Sequence, residues 1–159
     1  MSNSLPNPST SIGQEIKQQL FGYVKGRVVV ACIVAAATYL VLRILKLPES
    51  LALALCVGVF DLVPIVGPAA ALVVVMLVAL IALGLNTAII AGLALLLIQL
   101  VENWILEPVI IGKTTNLNPI VVFISVVFAV SIGGPIGAVL IVPLLIILKV
   151  VLTSLFPKS

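Results

Sequence analysis

The sequence predicts an all-α fold: a polytopic helical membrane protein with about four to six membrane segments, two of them Gly/Pro-broken hairpins. Three observations support this. Of the 159 residues, 63% are hydrophobic and 8% charged, with a mean hydropathy of +1.44, too little polar surface to cover a soluble globule of that length. Second, no charge occurs over 62–101, a run of 40 residues, or over 114–148, a run of 35. At about 1.5 Å of rise per helical residue, either run suffices for two crossings of a hydrocarbon core some 30 Å thick. Third, the ten-residue segments of alternating polarity that mark a transmembrane β-barrel do not occur.

In chain order, residues 1–11 are rich in Ser, Asn and Pro and are expected to form a disordered tail. Ser11 with Gln14 can cap a helix. Over 12–27, Ile12, Ile16, Leu20 and Val24 recur every four residues while Lys17, Gln18 and Lys25 take other faces, the pattern of an interfacial lead-in helix. Residues 28–156 follow as the transmembrane domain, with 157–159 as a closing tail. The first span, 28–42, ends at Arg43 and Lys46. Its polar approach is too long for an ordinary signal peptide. Lys17, Lys25 and Arg27 mark the cytoplasmic end by the positive-inside rule.

Two interrupted hairpins come next. Residues 51–60 lead into Asp61-Leu-Val-Pro-Ile-Val-Gly-Pro, and 69–83 is apolar again. Pro64 interrupts the first arm, Gly67 permits a tight turn and Pro68 can open the next helix. Later, 120–132 is apolar, Gly133-Gly134-Pro135-Ile136-Gly137 turns the chain, and 138–155 is apolar. In secondary transporters such broken segments mark the binding region, because freed backbone groups are tolerated only against protein or a wet cavity. Ordinary tight hairpins are the plainer reading. Parity of crossings puts the 108–118 loop in the cytoplasm and opens the two hairpins from opposite sides.

Chemistry collects between them, at 98–119. Gln99, Glu102, Asn103 and Glu107 fall on one helical stripe, with Asn86 and Thr87 able to cap the start of that helix and Pro108 expected to end it. Beyond it lies a loop motif of Glu107, Pro108, Gly112, Lys113, Asn118 and Pro119. The stripe is either a helix end at headgroup level, anchored by Trp104, or the lining of a water-filled path. Asp61 has two readings as well, a cap within the hairpin turn or an ion or proton site facing Glu102. A carboxylate at mid-membrane costs about 2.5–3.5 kcal/mol, so it is not expected to face lipid. The candidate substrate or ion path is therefore Asp61, Gln99, Glu102 and Asn103.

Other chemistry is excluded by residue type. The chain has no histidine, which removes Ser-His-Asp catalysis and the usual zinc sites and leaves proton coupling to carboxylates. Cys32 and Cys56 sit in apolar segments as small hydrophobes. No nucleophile–base pair or phosphate-binding loop can be assembled, so no enzyme activity, catalytic residue, cofactor or metal site is expected. The net charge of +3 is scattered, which excludes nucleic acid as a partner. The expected partners are the lipid bilayer and a small polar solute or monovalent cation.

The motifs Asp61-Leu-Val-Pro-Ile-Val-Gly-Pro, Gln99-Leu-Val-Glu-Asn-Trp-Ile-Leu-Glu-Pro-Val-Ile-Ile-Gly-Lys, Leu117-Asn118-Pro119-Ile120-Val121-Val122 and Gly133-Gly134-Pro135-Ile136-Gly137 with Val142-Pro143 occur in that order. Together they resemble the C-terminal half of the autoinducer-2 exporter family of bacterial inner-membrane transporters, over roughly Ile12 to Leu155. The resemblance implies a multi-pass permease exporting a small polar solute, an autoinducer-2-like signal or another metabolite. Relatives linked to sodium/proton antiport imply an ion transporter as the alternative. Family members are usually considerably longer, with further helices before the matched part. A truncated, non-transporting paralogue acting as an assembly subunit is therefore a third expectation, and a homo-oligomer is expected to shelter Asp61 and Glu102 from lipid.

Overall fold

A computed structural model describes residues 8–63, 65–111 and 117–155. Pro64, Gly112, Lys113 and the tails 1–7 and 156–159 lie outside the described residues. The elements are α1 (Pro8–Ile44), α2 (Ser50–Asp61), α3 (Val66–Leu83), α4 (Leu85–Val101), a π-helical segment (Glu102–Ile111) continuing α4, and α5 (Pro119–Leu155). No strand occurs among the described residues. Four stretches are long and apolar enough to cross a membrane, Ile12–Ile44, Val66–Leu83, Leu85–Ile111 and Ile120–Leu155, and α2 is a shorter apolar helix. Their outward faces carry large hydrocarbon side chains such as Leu40, Ile81 and Phe128, a surface suited to lipid rather than water.

The chain forms two compact units. In the unit Gly26–Lys113, α1 presents Val30, Ala31, Val34, Thr38 and Leu42, buried at spacings of one to four residues. Ala71, Val75 and Ala79 of α3 and Ala88, Ala91 and Leu95 of α4 are also buried. Small residues let these backbones approach closely. A Cβ added at Gly58 would stand 2.9 Å from Ala35 Cβ, and one at Gly92 would stand 2.8 Å from Met76 Sδ. A single residue, Gly84 (φ 89°, ψ 178°), joins α3 to α4.

The first hairpin turn differs from expectation in how it is made. Gly67 was expected to supply the tight turn, but the positive φ belongs to Ile65 (φ 70°), a β-branched residue in a region that disfavours it. Gly67 serves close approach instead, since a Cβ there would collide with the Phe60 carbonyl oxygen. Nor does Asp61 cap the turn: it is the last residue of α2, and α3 starts from Ile65 without a side-chain cap.

In the other unit the start of α1, as far as Lys25, groups with α5. The Asn118 side chain accepts a hydrogen bond from the Ile120 amide at 2.9 Å, capping α5, whose first residue is Pro119. Helix α5 is broken at Gly134 (φ 57°, ψ −148°), a conformation glycine adopts readily. The chain doubles back there, because a Cβ on Gly137 would strike the Ala129 carbonyl oxygen, whereas residues eight apart in a continuous helix stand about 12 Å apart. Ala138, Val142, Ile146 and Val150 then bury one stripe.

Three expected helix boundaries are corrected. Helix α1 begins at Pro8, a residue preset for a first turn, so Ser11 lies inside it rather than at a cap. Helix α4 begins at Leu85, placing Asn86 and Thr87 inside its first turn, where the Thr87 hydroxyl donates to Leu83 O at 3.5 Å. Pro108 does not end its helix, which runs to Ile111 as a π-helix. In that register the four-residue bonding ladder is already interrupted, so the missing proline N–H and the ring's demand for space are absorbed.

Candidate functional site: one arginine among three carboxylates

The unit Gly26–Lys113 holds an ionic cluster in an interior that is otherwise mostly apolar. Arg27, on α1, has a side chain 5% exposed. Its Nη2 lies 3.6 Å from Asp61 Oδ1, and its Nη1 lies 3.4 Å from Glu102 Oε1 and 2.5 Å from Glu107 Oε1. The Asp61 and Glu102 side chains are each 2% exposed, while that of Glu107 is 38% exposed. Asp61 and Glu102 thus share the Arg27 guanidinium. With every group charged the cluster carries a surplus of two negative charges.

Backbone geometry brings the four together. Gly26 lets the end of the π segment lie against α1, since a Cβ there would come 3.2 Å from Ile111 Cγ1 and 3.5 Å from the Ile110 carbonyl oxygen. The next residue is Arg27. Asp61 arrives as the last residue of α2. Glu102 opens the π segment, and Glu107 lies five residues on. In an α-helix that separation would turn Glu107 about 140° away from Glu102. Bonding five residues back reduces the rotation per residue and brings the two carboxylates onto one side.

Of the expected path, Asp61 and Glu102 meet. Gln99 does not reach the guanidinium among the contacts described: its amide donates to Pro68 O at 3.1 Å, tying α4 to the base of the hairpin. Asn103 is exposed and is not among the residues placed on Arg27, because the residue next to Glu102 points to another side of the helix. Glu107, expected in the loop motif and on the helical stripe, joins the cluster through Arg27. In the sequence Arg27 marks only the cytoplasmic end, whereas in the fold it is buried at the centre of the cluster. A signal was present: Asp61, Glu102 and Glu107 all border apolar runs and need a counter-charge, and Arg27 opens the first of those runs. Among the described residues no three acidic, cysteine or histidine groups are placed to hold a metal ion, and Cys32 and Cys56 are free.

Comparison with known proteins matches residues 1–156 to the family described as AI-2E family transporter. A relative from Synechocystis sp. (strain ATCC 27184 / PCC 6803 / Kazusa), sll0063, provisionally named a transport protein, is 34% identical over 84% of this chain and 33% of its own. PerM of Escherichia coli (strain K12), provisionally named a permease, is 32% identical over 89% of this chain and 40% of its own. TqsA of the same strain, named an AI-2 transport protein, is 44% identical over 43% of this chain and 20% of its own. The chain thus spans less than half the length of the curated relatives it matches.

Proposed function

This chain belongs to the AI-2E family of transporters, multi-pass proteins of the inner membrane, and we propose that it serves as a permease for a small polar solute, with the Arg27, Asp61, Glu102 and Glu107 cluster coupling solute movement to a proton or monovalent cation. The observation that carries the reading is the surplus of buried carboxylates over Arg27. One acid would balance one guanidinium. Further ionisable groups inside a membrane protein are costly and mark ion or substrate pathways. An autoinducer-2-like solute, small and rich in hydroxyls, suits a region offering both guanidinium donors and carboxylate acceptors. The name of TqsA supports the same solute class.

Ion exchange without a solute is the second reading, favoured by the same charge surplus. Proteoliposomes separate the two. With the full chain reconstituted, a sodium or proton gradient should accelerate efflux of a labelled small polyhydroxylated solute, and Asp61→Asn or Glu102→Gln should abolish the acceleration. Cation flux that responds to both substitutions with no solute moved supports ion exchange. Solute flux indifferent to both substitutions removes the cluster from the transport path.

A further inference from the structure

The guanidinium of Arg27 is not centred among its carboxylates. It lies 2.5 Å from Glu107, the one partly exposed acid, but 3.4 Å from Glu102 and 3.6 Å from Asp61, the two buried ones. This ordering is the reverse of what pairing strength alone would select, since attraction is least screened in the interior. Asp61 meanwhile keeps a buried Oδ2 with no hydrogen-bond partner among the described residues, and a buried acceptor left so is costly. The inner pair therefore carries excess negative charge, with Glu107 taking the shortest of the guanidinium's contacts.

We propose that Arg27 is a tethered competitor for the coupling site: drawn toward Glu107, it pairs with Asp61 and Glu102 only at 3.4–3.6 Å and leaves their joint negative charge partly uncompensated, so that the pair takes up one positive charge, and released from Glu107, it closes on that pair and expels the charge. The proposal rests on the preceding reading of the cluster and names the residues that regulate it. The incoming charge is a proton or a monovalent cation. Glu107 is a positioning residue, acting only through Arg27. What holds Glu107 in place is the π register of Glu102–Ile111. A return of that segment to α-helical turns would swing Glu107 about 140° from Glu102 and release Arg27. A local change of helix register is thereby converted into a change of charge at Asp61, so that the π segment acts as a small two-state element.

Thermal unfolding of the purified full chain in mild detergent tests this, with sodium chloride titrated at fixed pH and, separately, pH varied in sodium-free buffer. The wild type should be stabilised by sodium, by protons or by both, and the responding arm identifies the charge. Glu107→Gln should require about tenfold more of that cation for half its stabilisation, the equivalent of one charge-assisted hydrogen bond no longer holding Arg27 aside. In an Arg27→Gln background the same substitution should change nothing, because the competitor is gone. If Arg27→Gln fails to fold, Arg27→Lys replaces it: the shorter lysine lacks the planar fork that faces Glu107 with one nitrogen and Asp61 with the other, so the effect of Glu107→Gln should shrink there. A Glu107→Gln variant that titrates as the wild type overturns the proposal while leaving the coupling site standing. Persistence of the full tenfold effect without arginine overturns it too, making Glu107 a direct ligand. A wild type stabilised by neither sodium nor protons overturns both the proposal and the coupling role of the cluster.

Discussion

Arg27→Met is the most direct perturbation of the cluster. Methionine keeps an unbranched apolar stem of similar reach, so packing along α1 is largely retained, but Asp61 and Glu102 lose their counter-charge while 2% exposed. Removing one partner of a buried ion pair costs about 3–5 kcal/mol, most of it the penalty of the charge left behind. Glu107 adds little to this figure, because at 38% exposure water screens it. For a chain of this length each kcal/mol moves the melting temperature by about 2–4 °C, so the variant should melt on the order of 10 °C below the wild type. The assay is loss of helical circular dichroism on heating in mild detergent. The combined variant Arg27→Met, Asp61→Asn, Glu102→Gln should recover most of the loss, since replacing a whole buried ionic group with neutral side chains is far less costly than unbalancing it. An Arg27→Met protein that melts with the wild type would refute the buried pairing. A combined variant that melts as low as the single one would show that packing around the arginine stem, and not charge, was lost.

Gly67→Ala and Gly92→Ala should separate clearly in the same assay: the first drives a Cβ into the Phe60 backbone carbonyl and should cost about 3 kcal/mol or more, whereas the second meets the flexible end of Met76 and should cost about 1 kcal/mol. Similar losses for both would place the tight approach elsewhere than the first hairpin. Pro108→Ala restores an N–H able to bond in the α-helical register and should mimic Glu107→Gln in its cation titration. A wild-type titration would mean that the π register does not depend on the proline. Single cysteines at Thr115 and at Ser159, with Cys32 and Cys56 replaced, should react with impermeant reagent only from the cytoplasmic side. Reaction of Thr115 from outside intact cells would reverse the assigned orientation.

Membrane residence, helical class and the two interrupted hairpins were legible in the sequence because each is set by local quantities. The length of an uncharged run decides whether it can cross a bilayer, and Gly/Pro clusters such as Gly133-Gly134-Pro135 interrupt a helix wherever they fall. The need to shelter Asp61 was legible as well, since solvation cost depends on the residue and its apolar surroundings alone. Its partner was not. Arg27 lies 34 positions before Asp61 and 75 before Glu102 in the chain, and only the packing of α1 against α2 and the π segment makes the three neighbours. The stripe of Gln99, Glu102, Asn103 and Glu107 presumes a constant 3.6-residue period, and that period fails beyond Val101. There the chain takes π turns that exclude Asn103 and bring in Glu107. Likewise, proline at 108 announces that a regular helix cannot continue, but not whether the chain stops or widens. That choice belonged to the tertiary structure, where Gly26 leaves room for Ile110 and Ile111 and the Arg27 guanidinium gives Glu107 a charge to meet.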